Sequence, residues 1–132
     1  MLHGRRILVG VSGGVAAFKA VYLVRRLVEQ GAEVRVMMTG SARQFVGSQS
    51  FAAVTGHHVA QDLFGEESVS PHTELAQWAE AVVVAPATAN TLAKAAHGLA
   101  DDLVSATLLV STGDRLRPVP NGFDGSGLLT VE

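Results

Sequence analysis

The most constraining feature of the chain is a change of hydrophobic period around residue 12. Residues 6–11, RILVGV, form a short apolar run that passes into Ser12, Gly13 and Gly14, and such a run suits a strand buried on both faces of a parallel sheet. From 14 to 30 the period becomes helical: Ala17, Val21, Val24 and Val28 recur on one side, while Lys19, Arg25, Arg26, Glu29 and Gln30 fall largely on others. Gly31 is expected to cap that helix at its C-terminus. Residues 32–39, AEVRVMMT, then alternate, with Val34, Val36 and Met38 on one side, and predict a second strand. Strand, helix and strand in so short a span make a βαβ unit, whose crossover is right-handed by strong precedent.

The remaining chain continues this rhythm. Residues 41–55 read as a helix interrupted by Gly47 and ended by Gly56, and 57–71 combine one short strand candidate with a turn-rich, acidic loop. Residues 72–80, HTELAQWAE, predict a short helix; 81–86, AVVVAP, predict a third strand of small and β-branched residues that Pro86 stops. A helix follows Thr88-Ala89-Asn90 to about His97, and Gly98 breaks it. A further helix runs from Asp101 or Asp102 through Val110, its aspartates well placed at the positive end. The expected class is α/β, a three-layer Rossmann-like (flavodoxin-like) fold with a parallel sheet. Residues 1–110 form its one domain, and 111–132, rich in Pro and Gly without sustained periodicity, form an irregular C-terminal tail or an edge segment.

Composition narrows the function classes. At 48% hydrophobic, 17% charged and a formal charge of -2, the chain is globular, and its scattered cations argue against nucleic-acid or polybasic membrane surfaces. No apolar run reaches the ~18 residues of a membrane-spanning helix, and MLHGRR leads straight into a strand instead of a signal-peptide apolar region. The expectation is a cytoplasmic protein. Cysteine is absent, which removes disulfides, thiolate metal sites and a cysteine nucleophile.

In an open parallel sheet, ligands bind beyond the carboxyl ends of the strands. Three such ends are Ser12-Gly13-Gly14, Thr39-Gly40-Ser41 and Pro86-Ala87-Thr88-Ala89-Asn90, all small, uncharged and carrying hydroxyl or amide groups. Each alone is an ordinary tight turn; three together suit backbone and hydroxyl bonds to a phosphate and a polar ring system. Gly10-Val11-Ser12-Gly13-Gly14 also fits the G-x-S-x-G nucleophile elbow, with Asp62 and His72 or His97 following in Ser…Asp…His order. Against that reading, only a few residues precede Ser12 and the chain is short for that fold. The G-x-G-x-x-G spacing of dinucleotide sites is not met and no G-x-x-x-x-G-K-[ST] occurs. A mononucleotide with one phosphate is the simpler fit.

Among the histidines, His3, His57, His58 and His97 read as structural or solvated. His72 differs because it follows Pro71 and opens a helix, where the positive end favours the neutral imidazole that a general base needs. From spacing alone a structural and a catalytic role are both open. No H-x-x-x-H pair occurs, so no metal is expected.

Four motifs in order, GVSGGVAAFKA at 10–20, VMMTGSARQF at 36–45, HTELAQWAE at 72–80 and APATANTLAKAAHGLADDLVSATLL at 85–109, resemble the flavin-dependent cysteine decarboxylase family. Its members include 4'-phosphopantothenoylcysteine decarboxylase and the peptidyl-cysteine decarboxylases of lantibiotic biosynthesis, and the likeness is nearest to the decarboxylase half of the bacterial bifunctional coenzyme A biosynthesis flavoproteins. The resemblance implies FMN as cofactor, held at a subunit interface in a homo-oligomer built on trimers. It implies that Ser12, Gly13 and Gly14 approach the flavin, that Thr39 and Ser41 help hold its phosphate side, that Ala87, Thr88, Ala89 and Asn90 line the isoalloxazine, and that His72 is the catalytic base. The implied reaction is oxidation at the carbon bearing a cysteine sulfur, followed by loss of carbon dioxide to leave an enethiol. The implied substrate is 4'-phosphopantothenoylcysteine or a peptide with a C-terminal cysteine. After Val110 the family continues with a strand and a PAMN-x-x-M segment that binds the substrate carboxylate. Here 111–127 reads STGDRLRPVPNGFDGSG, where Asn121 follows Pro120 without matching, as in a chain truncated or diverged after residue 110. The alternative is accordingly a non-catalytic FMN-binding or regulatory subunit. A flavin prenyltransferase is a further relative, but it calls for a basic phosphate site that no Arg or Lys cluster supplies.

Overall fold

The computed structural model describes residues 2–64 and 69–111, and as backbone 116–120 and 127–131. Strands β1 (Arg6–Val11), β2 (Glu33–Met38) and β3 (Ala81–Ala87) alternate with helices α1 (Ala17–Glu29), α2 (Ser48–Thr55), α3 (Pro71–Trp78), α4 (Ala89–His97) and α5 (Leu103–Val110). A short 3-10 turn spans Ser41–Gln44, and strands β4 (Leu116–Pro120) and β5 (Gly127–Val131) follow. The sheet order is β2-β1-β3-β5-β4. β1 pairs in parallel with β2 from Arg6↔Glu33 to Val11↔Met38 and with β3 from Ile7↔Ala81 to Gly10↔Val84.

Alternation along the three parallel strands sorts the core into two layers. Ile7, Val9, Val11, Val34, Val36 and Met38 face α1 and α2, packing on Ala17, Ala20, Val24 and Phe51. Leu8, Met37, Val82 and Val84 face the opposite side, against Leu75 of α3 and Leu103, Val104 and Leu108 of α5. β1 lies at the centre of the parallel part and is buried on both faces, as its unbroken apolar run requires. Gly10 lets α5 approach closely: a Cβ there would lie 3.0 Å from Met37 Cε and 3.2 Å from Val104 Cγ1. Among the described residues no helix is long and apolar enough to cross a membrane.

Several boundaries differ from the sequence reading for identifiable reasons. α1 begins at Ala17, because Gly13 to Ala16 form the turn out of β1. β3 runs through Pro86 to Ala87. Its ladder with β1 ends at Val84, and its register with β5 shifts between Val84 and Ala87, so no rung requires the N–H that Pro86 lacks. Of the two readings for 111–132, an irregular tail or an edge segment, the described residues form the edge: β5 pairs antiparallel with β3, and β4 antiparallel with β5. Pro118 and Pro120 hide this in the sequence, yet β4 is the edge strand, where missing donors are tolerated. Residues 112–115 and 121–126 of that segment, Asn121 among them, lie outside the described residues, as do 65–68 of the acidic loop. The short strand candidate in 57–71 is a single bridge, Met37↔Ala60.

Candidate functional site

The chain leaves β1 for β2 on one side and returns to β3 on the other, so the strand order reverses between the carboxyl ends of β1 and β3. In sheets of this kind, that reversal opens a crevice. Contacts from Ser12, Gly13 and Gly14 bring the predicted loops together there. Ser12, 1% exposed, donates its hydroxyl to the Pro86 carbonyl and accepts the Thr88 amide at 3.2 Å, tying the first loop to the third. Gly13 lies against the second loop so closely that a Cβ would sit 2.6 Å from Ser41 Cβ and 2.8 Å from its carbonyl carbon. Gly14 approaches the third, where a Cβ would meet Thr88 Cγ2 at 3.5 Å.

The polar side chains around this junction divide by partner. Thr39 is buried; its hydroxyl accepts the Ala42 amide at 3.2 Å and lies 3.2 Å from Ser41 Oγ, fixing the 3-10 turn. Thr88 is the N-cap of α4, accepting the Thr91 amide at 3.3 Å. Ser41, Ala89 and Asn90 are exposed, whereas the Ala87 side chain is fully buried in the core with Val84 and Val104. α1 starts beside Gly14 with no side-chain cap and no acidic residue in its first turn. Its positive end therefore faces the junction without an internal anion. α5 is finished in the opposite way, by a capping box in which Asp102 accepts the Ser105 amide at 2.8 Å.

His72 is the second residue of α3, after Pro71 at the first position. Only Ala79 and Glu80 separate α3 from β3, so the helix runs back along the strand and its N-terminus lies at the carboxyl end of the sheet, as the three loops do. The ring is half-buried, with Nδ1 enclosed and without a hydrogen-bond partner among the described residues. The far end of α3 is held firmly. Arg6 Nε donates to the Trp78 carbonyl at 2.7 Å, the Arg35 guanidinium lies over the Trp78 ring at 4.9 Å, and Leu75 is buried in the core. The Arg35–Trp78 stack has no local spacing signal in the sequence.

The nucleophile-elbow alternative finds no support in this arrangement. The Ser12 proton goes to a backbone carbonyl instead of a base, and Asp62 sits 3.5 Å from Arg43. The other histidines have local surroundings. The His3 ring covers the Gly31 turn, where a Cβ would lie 2.6 Å from Nδ1, and His57 Nε2 is 3.9 Å from Glu33. His58 and His97 are exposed. Among the described residues no group of three or more His, Cys, Asp or Glu side chains is arranged to hold a metal.

A family model described as Flavoprotein matches residues 1–119. The coenzyme A biosynthesis bifunctional protein CoaBC of Bacillus subtilis is 47% identical over 114 residues, covering 85% of this chain and 28% of that protein. The CoaBC of Mycobacterium tuberculosis is 51% identical over 107 residues, covering 81% of this chain and 26% of that one. The chain thus spans little more than a quarter of the length of these relatives. Among solved structures, the FMN-dependent cysteine decarboxylase SpaF superposes with a TM-score of 0.80 at 36% identity, over 92% of this chain and 72% of that one. A PPC decarboxylase mutant complexed with pantothenoylaminoethenethiol gives 0.73 at 32% identity, over 83% and 62% of the two chains.

Proposed function

The chain belongs to the flavoprotein family, and from that premise we propose that it binds FMN at the three-loop junction and decarboxylates a cysteine-derived carboxylate, either 4'-phosphopantothenoylcysteine or a peptide C-terminal cysteine. The observation that carries this reading is the convergence of Ser12, Gly13 and Gly14 on Ser41, Pro86 and Thr88. The junction suits the cofactor physically. Its loops carry no charged side chain, its glycines allow close approach of a planar ring, and the uncapped start of α1 offers backbone donors to a phosphate.

In this reading Ser12, Gly13 and Gly14 form the floor of the site, Thr39 and Ser41 border the phosphate, and Ala87, Thr88, Ala89 and Asn90 border the ring system. Ser41 and Asn90 are exposed and can turn their polar groups toward a ligand, while Ala87 contributes through its backbone, its side chain being in the core. When bound, FMN supplies a two-electron acceptor for the carbon that bears the cysteine sulfur. His72 acts as the base and takes a proton from the substrate. The chain has no cysteine, so any later step that needs a protein thiol draws it from elsewhere. A homo-oligomer built on trimers and a cytoplasmic location complete the proposal.

The test is direct. Protein purified without added cofactor should show oxidised-flavin absorption, release FMN on denaturation, and liberate carbon dioxide from one of the two substrate classes. Protein that holds FMN and releases no carbon dioxide from either class would favour the second reading, a non-catalytic FMN-binding subunit. That reading is motivated by the absence of a PAMN-x-x-M match after Val110. Colourless protein that takes up no added FMN would defeat both.

A further inference from the structure

The hydroxyl of Ser12 is the most enclosed polar group of the junction, and its hydrogen-bonding capacity can be counted. A serine hydroxyl has one proton to donate and two lone pairs to accept with. In Ser12 the proton goes to the Pro86 carbonyl and one lone pair takes the Thr88 amide at 3.2 Å, with the residue 1% exposed. A phosphate monoester near neutral pH presents acceptors, so a serine can ligate it only by donating. For Ser12, donating to a phosphate means withdrawing from Pro86 and leaving that buried carbonyl without its partner, a loss that interiors rarely sustain. The remaining lone pair offers a phosphate oxygen nothing.

The geometry explains why such a hydroxyl is needed here. β3 outruns its pairing with β1, whose last rung is Gly10↔Val84. Ala85 to Ala87 therefore project past the β1 ladder without rungs on that side, and the chain then turns into α4 at Thr88. Ser12 spans this gap, taking the carbonyl before the turn and the amide at the N-cap, so it continues the β1–β3 connection by side chain where the backbone ladder has stopped. Thr88, held in this way, is in position to cap α4 through Thr91. The exposed residues Ala89 and Asn90 begin that helix.

We infer that Ser12 is a positioning residue, a latch that holds the third loop of the flavin site in register, and that its hydroxyl gives no hydrogen bond to the bound cofactor. The inference rests on the flavin reading above and deepens it. It separates the junction's polar side chains into the buried one that builds the site, Ser12, and the exposed ones on its surface, Ser41 and Asn90.

Riboflavin distinguishes the two roles, because it keeps the ring system and lacks the phosphate. Dissociation constants of FMN and riboflavin are measured by fluorescence quenching on the full chain freed of flavin, for wild type and Ser12→Ala, well below the unfolding temperature of each. The latch predicts that the substitution weakens both flavins by the same factor, about tenfold, leaving the ratio of the two constants unchanged. It also predicts faster hydrogen exchange at the Thr88 amide, with exchange in the β1–β2 ladder unaffected. A loss confined to FMN would make Ser12 a phosphate ligand and overturn the inference, as would unchanged affinity for both flavins. The wild-type protein provides a second measurement should the variant not fold. Under the latch the Thr88 amide keeps its protection when FMN binds, whereas a hydroxyl that swings to the phosphate exposes it. Wild-type protein that binds neither flavin would instead overturn the flavin reading itself, and the latch with it.

Discussion

The two ends of the parallel sheet are finished with opposite chemistry. At the amino end, Glu80 leads into β3 and receives Arg5 Nη1 at 2.9 Å, with Arg6 Nη1 at 3.5 Å, so β1 and β3 begin under an exposed charge cluster. At the carboxyl end, Ser12 just past β1 and Pro86 near the end of β3 are joined by a buried hydroxyl. Water competes freely for the charges at the first end, so their pairing adds little and tolerates change. At the second, a buried neutral contact has no substitute from solvent. The proposed site lies at the end where the contact between the strands is buried and neutral.

The sharpest way to break the comparison is at His72. Its replacement by alanine removes the only imidazole at the start of α3 while Leu75, Trp78 and the Arg6 contact keep the helix docked. Carbon dioxide release should fall by about 100-fold or more, the usual scale for losing a general base, with FMN content unchanged. Turnover equal to wild type would remove His72 from the chemistry and send the search for the base to another group at the carboxyl end.

Gly13→Ala tests the close approach. The new Cβ would meet Ser41 Cβ at 2.6 Å and its carbonyl carbon at 2.8 Å, both too short to keep, and one partner is backbone that cannot rotate away. The first and second loops must separate. Overpacking of this kind costs about 1–3 kcal/mol, so FMN should bind about tenfold or more weakly in a fluorescence titration, with a lower melting temperature. Alanine at Gly40, where a Cβ meets nothing within 4 Å, is the control and should leave affinity near wild type.

What the sequence made legible follows the same solvation logic. The parallel strands announce themselves in different ways: β1 and β3 through the apolar runs ILVGV and AVVVAP, and β2 through alternation, because Glu33 and Arg35 lie on its less buried side. Gly31, Gly56 and Gly98 marked helix ends and all have positive φ, which other residues adopt at a cost. The small uncharged loops were legible as turns at the carboxyl ends of the strands, and the structure brings the three together. Ser12 was visible as a hydroxyl in a tight turn, but its partners Pro86 and Thr88 lie far away in the chain, and no local pattern encodes that meeting. β4 was hidden for a different reason: an edge strand can carry Pro118 and Pro120, so its sequence loses the alternation by which strands are recognised.

Asp102 lies between the two extremes, half-buried and charged. Burial opposes its charge, but hydrogen bonds from Lys94 and the Ser105 amide outweigh that and hold its carboxyl below the usual aspartate value of 3.8. Asp102→Ala removes the α5 cap and one of the two carboxylates 2.9 Å from Lys94 Nζ. The expected loss is about 1–2 kcal/mol in urea unfolding, with FMN affinity unchanged. A group whose folded pKa is depressed stabilises at pH above its unfolded value, and that stabilisation is lost as pH falls through the folded one. The wild-type advantage should therefore be constant from pH 5 to 8 and shrink once the pH drops below about 4.

Glu80→Gln should have the smallest effect, and its form matters more than its size. The hydrogen bond from Arg5 leads the causes that hold the Glu80 carboxyl below its ordinary value of 4.5. Its contribution is thus present above that pH and fades on acidification. Because the cluster is exposed, added salt should erase what difference exists between variant and wild type in thermal melts at neutral pH. The hydroxyl at Ser12, carrying no charge, should show no such salt dependence in Ser12→Ala. A salt-insensitive Glu80 defect would mean that Glu80 acts through the Arg6 amide it accepts at 3.3 Å, a neutral donor, making the amino end a second latch in place of a solvated charge cluster.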